Sequence, residues 1–317
     1  MNPFAVPLHN IGTFLSRLKL FWALSRTPHA LLDMAHPAVA ALLCLGQLPS
    51  LGKTFLGMLT VFSGYTAVYA LNDVVDYRTD KEKMAQGLYS DSKEYLDGVL
   101  VRHPIAKGVL SLKQGLCWVL LWSLVALLGA YLLNPICMYI FIGGCILEGI
   151  YCKLWRVSPL RALVNGIVKP LGAMAAMYAV NPSPPPMLLA AMFLWIFCWE
   201  IGGQNIPADW SDIEEDRMFN AKTIPVIFGV VKAGILLLIL LVASFFLNIF
   251  VFFIAPVSFD LWVYLTVVAV HCYLLLLPAL RLLETNDRAD VVVLFNKSSC
   301  LPLSILVITL FSLIFKI

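Results

Sequence analysis

The chain has 317 residues, of which 61% are hydrophobic and only 13% are charged, and its formal net charge is +3. Soluble globular domains carry about 25% charged residues, so this composition excludes an ordinary soluble domain. The small net charge indicates no nucleic-acid partner. The long apolar stretches predict an integral membrane protein made of helices rather than of barrel strands.

Residues 1–28 are predicted to form an N-terminal segment that lies on the cytoplasmic surface of the membrane. The stretch FLSRLKLFWALSR, from Phe14 to Arg26, mixes apolar and basic side chains as interfacial helices do. The segment lacks the clean apolar core and the small-residue cleavage site of a secretory signal peptide.

Nine apolar stretches follow, each close to the ~20 residues that a helix needs to span a bilayer. Asn134-Pro135 separates the third from the fourth, and the proline-rich residues 181–186 separate the fifth from the sixth. We expect an all-α polytopic membrane protein, a single domain over 1–317, with nine transmembrane helices in one bundle around a central cavity. The spans are predicted at residues 29–47, 54–72, 113–133, 135–152, 162–180, 187–206, 229–250, 261–282 and 298–315.

Lysine and arginine residues concentrate in alternate connections between these spans. The other connections contain only Lys53, and Lys316 follows the last span. By the positive-inside rule, the N-terminus and the loops 73–112 and 207–228 are predicted to be cytoplasmic, and the C-terminus to lie on the opposite side. Both loops are acidic as well as basic, so their acidic residues are expected on the same membrane face.

A first acidic cluster begins at the end of the second span, in LNDVVDYRTDKEK (71–83). Asn72, Asp76 and Asp80 are spaced i, i+4, i+8, so they line one stripe if the second span continues as a helix. Asp73 is rotated by about 100° from this stripe and is the weaker candidate.

A second acidic cluster, DWSDIEED (209–216), places Asp209, Asp212 and Asp216 at i, i+3, i+7, again on one helical face. Like charges on one stripe repel each other, and near a membrane they are costly to desolvate. A divalent cation bound between the carboxylates turns this repulsion into a net attraction. Mg²⁺ in particular prefers carboxylates together with substrate phosphates. The two stripes are therefore predicted to hold Mg²⁺ with a diphosphate between them.

Two other interpretations of the acidic residues remain open at this point. The residues can simply cap helices and solvate loops. They can also form the transit site of a cation transporter, although transporters usually show internal repeats and broken helices at mid-membrane. A third alternative, an isoprenoid-binding scaffold without catalysis, does not need two carboxylate stripes.

Several stretches resemble the UbiA superfamily of intramembrane prenyltransferases. NDVVDYRTD resembles its NDxxDxxxD motif, and DWSDIEED resembles its DxxDxxxD motif. The resemblance continues in DRMFNAKTIPVIFG (216–229), HPIAKGVLS (103–111) and YCKLWR (151–156), and the nine-span layout extends it over essentially the whole chain.

The chain departs from the family pattern in three places. His103 stands where the family usually has arginine before Pro-Ile, which puts one phosphate contact in doubt. The segment 81–101 is longer than the usual loop, with SDSKEYLDG as the insertion. Asn220 stands where glycine is common, and asparagine also tolerates a left-handed backbone.

The resemblance implies Mg²⁺-dependent transfer of a prenyl group from a polyprenyl diphosphate to an acceptor, with release of diphosphate. The expected acceptor is aromatic, similar to 4-hydroxybenzoate or another quinone precursor. A glycerol-phosphate lipid or a tetrapyrrole is the alternative within this class. The expected partners are therefore a polyprenyl diphosphate, a small aromatic or lipid acceptor, and the lipid bilayer.

The site residues expected on this basis fall into four groups. The predicted metal ligands are Asn72, Asp76, Asp80, Asp209, Asp212 and Asp216. The predicted catalytic residues are Asp76, Asp212, Lys153 and Tyr151. The predicted diphosphate-binding residues are Arg26, Lys107, Lys153, Arg217 and Lys222. Asp33 and His36, in the first span close to Arg26, are predicted to line the acceptor pocket.

Other polar residues inside the spans are functional candidates by default, because charges within a membrane are costly. Lys169 and Glu200 are expected to pair across the fifth and sixth spans, and Glu148 to pair with Lys153. His271 is expected to be a packing histidine.

Overall fold

The computed structural model describes residues 8–85 and 100–315, so the insertion predicted at 90–98 lies outside the described residues. The described residues contain helices and connections and no strand. The helices of the first half are α1 (Leu8–Leu24), α2 (Thr27–Asp33), α3 (Ala35–Leu45), α4 (Leu51–Ala85), α5 (Leu112–Leu133), α6 (Pro135–Lys153) and α7 (Arg161–Val180).

The second half contains two helices that are interrupted by π-helical turns. The first turn, Glu200–Asn205, separates α8 from α9, and the second, Cys272–Leu276, separates α13 from α14. The helices of this half are α8 (Pro186–Trp199), α9 (Ile206–Ser211), α10 (Ile213–Met218), α11 (Ile224–Phe228), α12 (Val230–Ile254), α13 (Leu261–His271), α14 (Leu277–Thr285), α15 (Arg288–Ser299) and α16 (Leu301–Phe315).

Nine helical segments within the described ranges are long and apolar enough to cross a membrane, which confirms the predicted number. Their bounds agree with the predicted spans at most ends. The ninth segment, Arg288–Phe315, begins ten residues before the predicted start at 298. It includes polar residues of α15 that hydropathy alone assigns to a connection.

Helix α4 is the largest departure from the predicted boundaries. It has 35 residues, about 52 Å at 1.5 Å per residue, and so extends well beyond the ~30 Å hydrocarbon core. The first part of the loop predicted at 73–112 is therefore helical. Residues 207–228, also predicted as a loop, form the short helices α9, α10 and α11.

Local sequence explains where neighbouring helices separate. The Asn134 side chain accepts a hydrogen bond from the backbone N–H of Ile136 at 3.0 Å, and Pro135 occupies the first turn of α6. Both features favour the start of a helix. Asn220 has φ 57°, so this asparagine adopts the left-handed conformation expected of it.

The core of the bundle forms around α8. Its Trp195 and Trp199 are fully buried, together with Met177 of α7 and Phe252 of α12. The outer surface carries exposed apolar stripes instead, such as Leu120, Leu124 and Leu128 at i, i+4, i+8 on α5. Such stripes are expected where the surrounding solvent is lipid.

Candidate active site

One large cavity, of about 890 Å³, enters the bundle from the end where α4 passes α9 and α10. We call this end of the bundle the acidic end. Acidic and basic side chains line the cavity here, whereas small and apolar side chains predominate in its deepest part. The deep lining includes Gly57, Gly64, Leu133, Gly172 and Leu306.

The first predicted stripe lies on the cavity wall, as its spacing indicates. Asn72, Asp76 and Asp80 all line the cavity from α4. The Asn72 amide nitrogen donates to Glu148 Oε1 at 2.8 Å, which fixes the amide and leaves its oxygen as the candidate ligand. Glu148 therefore pairs with Asn72, and the expected pair with Lys153 is not formed.

The second predicted stripe lines the same cavity from the opposite side. Asp209, Asp212 and Asp216 are placed there by α9, by its junction with α10, and by α10 itself. The Ser211 hydroxyl donates to Asp212 Oδ1 at 2.9 Å. Asp209 Oδ1 accepts from Arg161 at 3.3 Å, whereas Asp209 Oδ2 is buried with no hydrogen-bond partner among the described residues.

Direct contacts join the two acidic segments at this end of the bundle. Lys83 Nζ, near the end of α4, lies 2.8 Å from Glu215 Oε1 of the second motif. The same ammonium lies 4.2 Å from the ring centroid of Trp155, whose indole donates to Asp216 Oδ1 at 3.2 Å. Asp80 of the first motif and Asp209 of the second are 129 residues apart along the chain. The two motifs nevertheless line the same cavity.

The oxygen-rich wall fits a hard divalent cation. Five aspartates and one asparagine line one cavity, and one buried carboxylate oxygen of Asp209 has no hydrogen-bond partner within the described ranges. A buried carboxylate oxygen without a partner is costly, and a cation bound to that oxygen removes the cost. Oxygen-only donors favour Mg²⁺ over softer metals.

The predicted basic residues divide into one that lines the cavity and four that do not. Arg26, with a left-handed backbone at φ 43°, is on the cavity wall. Lys153 and Arg217 are exposed, and Lys107 and Lys222 are half-buried outside the cavity lining. Those four assignments to a diphosphate site are therefore not supported by their positions.

Helix geometry explains why Lys153 lies outside the cavity. Tyr151 lines the cavity, and a residue two positions along a helix is rotated by about 200°, so Lys153 points away. Arg161 at the start of α7 brings positive charge to the cavity wall at this point instead. Arg161 is 8% exposed, donates to the Tyr151 hydroxyl, and pairs with Asp209.

His103, noted in the sequence as a departure from the family pattern, joins two acidic residues of α4. Its Nδ1 lies 2.7 Å from Asp73 Oδ1 and 2.8 Å from Asp80 Oδ2. Burial lowers the pKa of this imidazole, but its hydrogen bonding to the Asp73 and Asp80 carboxylates, which accept from it, outweighs burial and raises the pKa above its ordinary value. The Asp73 side chain therefore contacts His103 and does not line the large cavity, in agreement with its position as the weaker ligand candidate in the sequence.

The predicted acceptor-pocket residues lie behind the cavity wall. Asp33 is buried beneath Lys169, whose Nζ approaches its Oδ2 to 2.6 Å. His36 is also buried, with its ring 4.5 Å from the ring centroid of Trp199. Neither side chain lines the cavity, so the acceptor-pocket assignment is not supported for either residue.

Two further expectations for buried polar residues are confirmed. Lys169 Nζ lies 3.6 Å from Glu200 Oε2, so these residues pair across the fifth and sixth spans. His271 Nδ1 lies 2.9 Å from the carbonyl oxygen of Val267 one turn earlier, and the imidazole is fully buried, as a packing histidine would be.

Asp216 gives the acidic end a pH dependence. Burial, followed by the nearby charge of Asp209, raises the pKa of the Asp216 carboxyl to about 7. Since an unfolded aspartate ionises near ~3.9, the metal-free fold loses stability as the pH rises from about 4 to about 7. A bound cation favours the ionised form and opposes this loss.

We therefore expect Mg²⁺ to raise the melting temperature more at about pH 8 than at about pH 6. The measurement compares melting in EDTA and in Mg²⁺ at the two pH values. The Asp216→Asn variant should lose most of the difference, because it cannot ionise. An equal gain from Mg²⁺ at both pH values in the wild-type protein would contradict the prediction.

Comparison with known families gives a match over most of the chain. The model of the UbiA prenyltransferase family matches residues 35–301. A digeranylgeranylglyceryl phosphate synthase from Thermococcus kodakarensis is 25% identical over 234 residues, which cover 73% of this chain and 78% of the relative. A protein of the same name from Pyrococcus abyssi is 25% identical over 219 residues, covering 69% and 72%.

Solved structures share the fold. A UbiA homologue from Archaeoglobus fulgidus bound to DMAPP and Mg²⁺ aligns with a TM-score of 0.67 at 18% identity, covering 92% of this chain and 98% of that chain. A UbiA homologue from Aeropyrum pernix in its apo form aligns with a TM-score of 0.65 at 20% identity, covering 91% and 98%.

Proposed function

Since the chain belongs to the UbiA prenyltransferase family, we propose that it transfers a polyprenyl group from its diphosphate to an aromatic acceptor of the quinone-precursor type. One observation supports this reaction above all others: both acidic motifs line a single cavity that continues into an apolar interior. The donor has an anionic head group and an apolar tail. These match the polar and the apolar parts of the cavity lining.

The diphosphate head is assigned to the acidic end. The residues that would hold Mg²⁺ there are Asn72, Asp76, Asp80, Asp209, Asp212 and Asp216. When bound, Mg²⁺ would neutralise the charge that develops on the departing diphosphate. The A. fulgidus homologue, which is bound to DMAPP and Mg²⁺, supports this assignment by its likeness in fold.

Arginine and tyrosine side chains orient the head group in this proposal. Arg26 and Arg161 bring positive charge to the cavity wall. The Tyr151 hydroxyl accepts hydrogen bonds from Arg161 and from Asn205, the latter at 3.3 Å, so its own proton remains available to a phosphate oxygen. Tyr151 keeps its predicted catalytic role, and Arg161 takes the one predicted for Lys153.

The aromatic acceptor is supported by the wall next to the acidic end. Tyr65 and Tyr69 of α4 line the cavity there, as does Lys169. Flat aromatic faces and one ammonium suit a ring that carries a carboxylate or a hydroxyl. The second candidate acceptor is a glycerol-phosphate lipid, because the curated relatives are digeranylgeranylglyceryl phosphate synthases.

The test of function uses purified protein in liposomes with radiolabelled geranylgeranyl diphosphate. Each acceptor, 4-hydroxybenzoate or geranylgeranylglyceryl phosphate, is supplied separately with Mg²⁺ or with EDTA. We expect Mg²⁺-dependent diphosphate release and a labelled product with 4-hydroxybenzoate. A product with the lipid alone would select the second candidate, and cation flux without diphosphate release would select a transporter.

Orientation in the membrane belongs to the same proposal. The basic connections predict that the acidic end is cytoplasmic, where it would meet a water-soluble diphosphate head. Cysteine accessibility distinguishes the two orientations. In a variant whose native cysteines, such as the exposed Cys117, are replaced by serine, a cysteine introduced at the exposed Glu214 should react with a membrane-impermeant maleimide only after the cells are opened.

The deep part of the cavity predicts a preference for long donors. From Asp76 to Gly57 on α4 the cavity wall extends over 19 residues, about 28 Å. An added Cβ at Gly57 would meet no described atom within 4 Å, so a leucine there should fill open cavity without distorting the helix.

We expect Gly57→Leu to reduce turnover of geranylgeranyl diphosphate by about tenfold, because its tail loses room, equivalent to roughly 1.4 kcal/mol. Turnover of dimethylallyl diphosphate, which does not reach this depth, should be unchanged. The matched control is Gly52→Leu on the same helix, since Gly52 also has open space but does not line the cavity. Equal losses for both donors would exclude a role of this region in holding the tail.

A further inference from the structure

A second polar group lines the cavity deeper in the bundle than the acidic motifs. It consists of Lys169 of α7, Glu200 of the π-helical turn, and Tyr65 and Tyr69 of α4. Glu200 precedes Asp209 by nine residues, roughly 14 Å along a helix. This distance leaves room for the reacting bond and a ring-sized acceptor between the diphosphate site and Glu200.

Lys169 pairs with two carboxylates at unequal distances, Glu200 of this group and Asp33 behind the cavity wall. Lys169 Nζ lies 2.6 Å from Asp33 Oδ2 but 3.6 Å from Glu200 Oε2. The ammonium is also 3.1 Å from the Tyr69 hydroxyl, which itself donates to Asp33. Asp33 is therefore the compensated carboxylate, and Glu200 carries the excess negative charge of the group.

The two carboxylate oxygens of Glu200, which lines the cavity, differ in their hydrogen bonding. Its Oε1 accepts from the Asn165 amide at 2.7 Å, which fixes the orientation of the carboxylate. Its Oε2 has no hydrogen-bond partner within the described part of the chain, although the residue is only 4% exposed. A buried carboxylate oxygen that accepts no hydrogen bond is costly. Its presence in the cavity wall indicates that a bound ligand donates the missing hydrogen bond.

The π-helical turn presents this side chain to the cavity. Glu200, Gln204 and Asn205 all line the cavity from the turn Glu200–Asn205. Pro207 follows the turn and lacks the N–H that would bond to the carbonyl of Gly203, which accepts from the Ser298 hydroxyl instead. Single π-helical turns inside α-helices are frequent at functional sites.

We propose that Glu200 is the base that takes the proton which the acceptor must lose during prenyl transfer. This inference rests on the proposed function and assigns one further residue to it. Tyr65 supports the same subsite, because its buried hydroxyl also lines the cavity without a hydrogen-bond partner in the described ranges. Together they offer an acceptor substrate one hydrogen-bond acceptor and one donor.

The reaction balances with Glu200 in this role. The C–O bond of the donor breaks, and its electron pair leaves with the diphosphate. A new bond forms between the prenyl carbon and a ring carbon of the acceptor, or its hydroxyl oxygen if the acceptor is a lipid. The C–H or O–H bond at that atom then breaks, and the proton moves to Glu200 Oε2.

The charge of the buried group favours this transfer. With Glu200 ionised, and with His29, whose Nε2 lies 3.8 Å from Asp33 Oδ2, neutral, these residues and Lys169 carry one net negative charge inside the bundle. After Glu200 takes the proton, the group is neutral, and an uncompensated buried charge has been removed. The negative charge is thus present while a carbocation forms and absent once the product is complete.

The test separates donor ionisation from proton removal. Geranylgeranyl diphosphate labelled with ¹⁸O at the bridging oxygen reports reversible C–O cleavage, because the label then spreads to non-bridging positions. Product formation is measured in parallel with 4-hydroxybenzoate and with geranylgeranylglyceryl phosphate. The variants are Glu200→Gln, Glu200→Asp and, as a matched loss of one acidic charge on an exposed side chain, Glu214→Gln.

We expect Glu200→Gln to form product at least about 100-fold more slowly while label scrambling stays within about threefold of wild type. Glu200→Asp should be intermediate in product formation, and Glu214→Gln should match wild type. If Glu200→Gln does not insert, Glu200→Asp carries the same test, since slower product formation with unchanged scrambling is again required.

Product formation by Glu200→Gln at the wild-type rate would overturn the inference, and so would a parallel loss of scrambling, which would assign Glu200 to donor ionisation. A wild-type protein that alkylates neither acceptor would contradict the proposed function and the inference with it. A wild-type protein that alkylates one of them alongside an equally active Glu200→Gln would contradict the inference alone.

Discussion

Replacing Asp76 or Asp212 by alanine is expected to reduce prenyl transfer by about 1,000-fold or more, at the upper end of what the loss of one charge-stabilising group costs. Each residue lies on one of the two acidic walls of the cavity, so each variant removes a carboxylate from one side of the proposed diphosphate site. The protein should still insert in the membrane, because neither side chain belongs to the apolar core.

The measurement is diphosphate release from geranylgeranyl diphosphate at saturating Mg²⁺, with insertion checked by monodisperse elution in detergent. Glu214→Ala is the matched control, since Glu214 belongs to the same acidic motif but is exposed and outside the cavity lining. Full activity in either aspartate variant would contradict the assignment of both motifs to one diphosphate site.

Replacing Arg161 by leucine is expected to destabilise the protein by about 3–5 kcal/mol, because it leaves Asp209 buried without its cation. The guanidinium also supports Tyr151 by hydrogen bonding, and its carbon lies 4.4 Å from the Tyr151 ring centroid. Turnover should fall together with stability, since both Asp209 and Tyr151 lose their orientation.

Lys153→Ala is the variant to compare with Arg161→Leu. The comparison decides whether Lys153 or Arg161 is the catalytic cation. Lys153 is exposed at the end of α6, so its loss should change stability by no more than about 0.5 kcal/mol. Melting temperature and turnover of both variants are compared in Mg²⁺ and in EDTA. Similar losses in the two variants, or a larger loss for Lys153→Ala, would return the catalytic cation to Lys153.

Local patterns in the sequence were sufficient for the spans and for both acidic walls. Hydropathy identifies a membrane helix from its own residues alone, and the i, i+4, i+8 spacing of Asn72, Asp76 and Asp80 fixes their common face once α4 is known to continue. The same logic gave Asp209, Asp212 and Asp216, although the helix there is broken at Asp212.

Contacts between distant segments were not accessible in the same way. Asp33 and Lys169 are 136 residues apart in sequence, and nothing local to Asp33 indicates that its carboxylate turns away from the cavity. Lys153 and Arg161 are both basic residues at helix ends, and only the rotation of α6 and α7 in the bundle decides which of them faces inward. Pairing and rotation are tertiary properties, so the sequence left them undetermined.

The unbroken helix α4 carries the proposed head-group ligands and the wall of the deep cavity on one rod of 35 residues. Inserting a single residue between Tyr65 and Asn72 would turn every ligand beyond it by about 100° and advance it by about 1.5 Å relative to the residues before it. Substitutions along this rod act one at a time, whereas a one-residue change in its length acts on all three ligands at once. Homologous enzymes should therefore vary freely in the length of their connections but keep this stretch free of insertions and deletions.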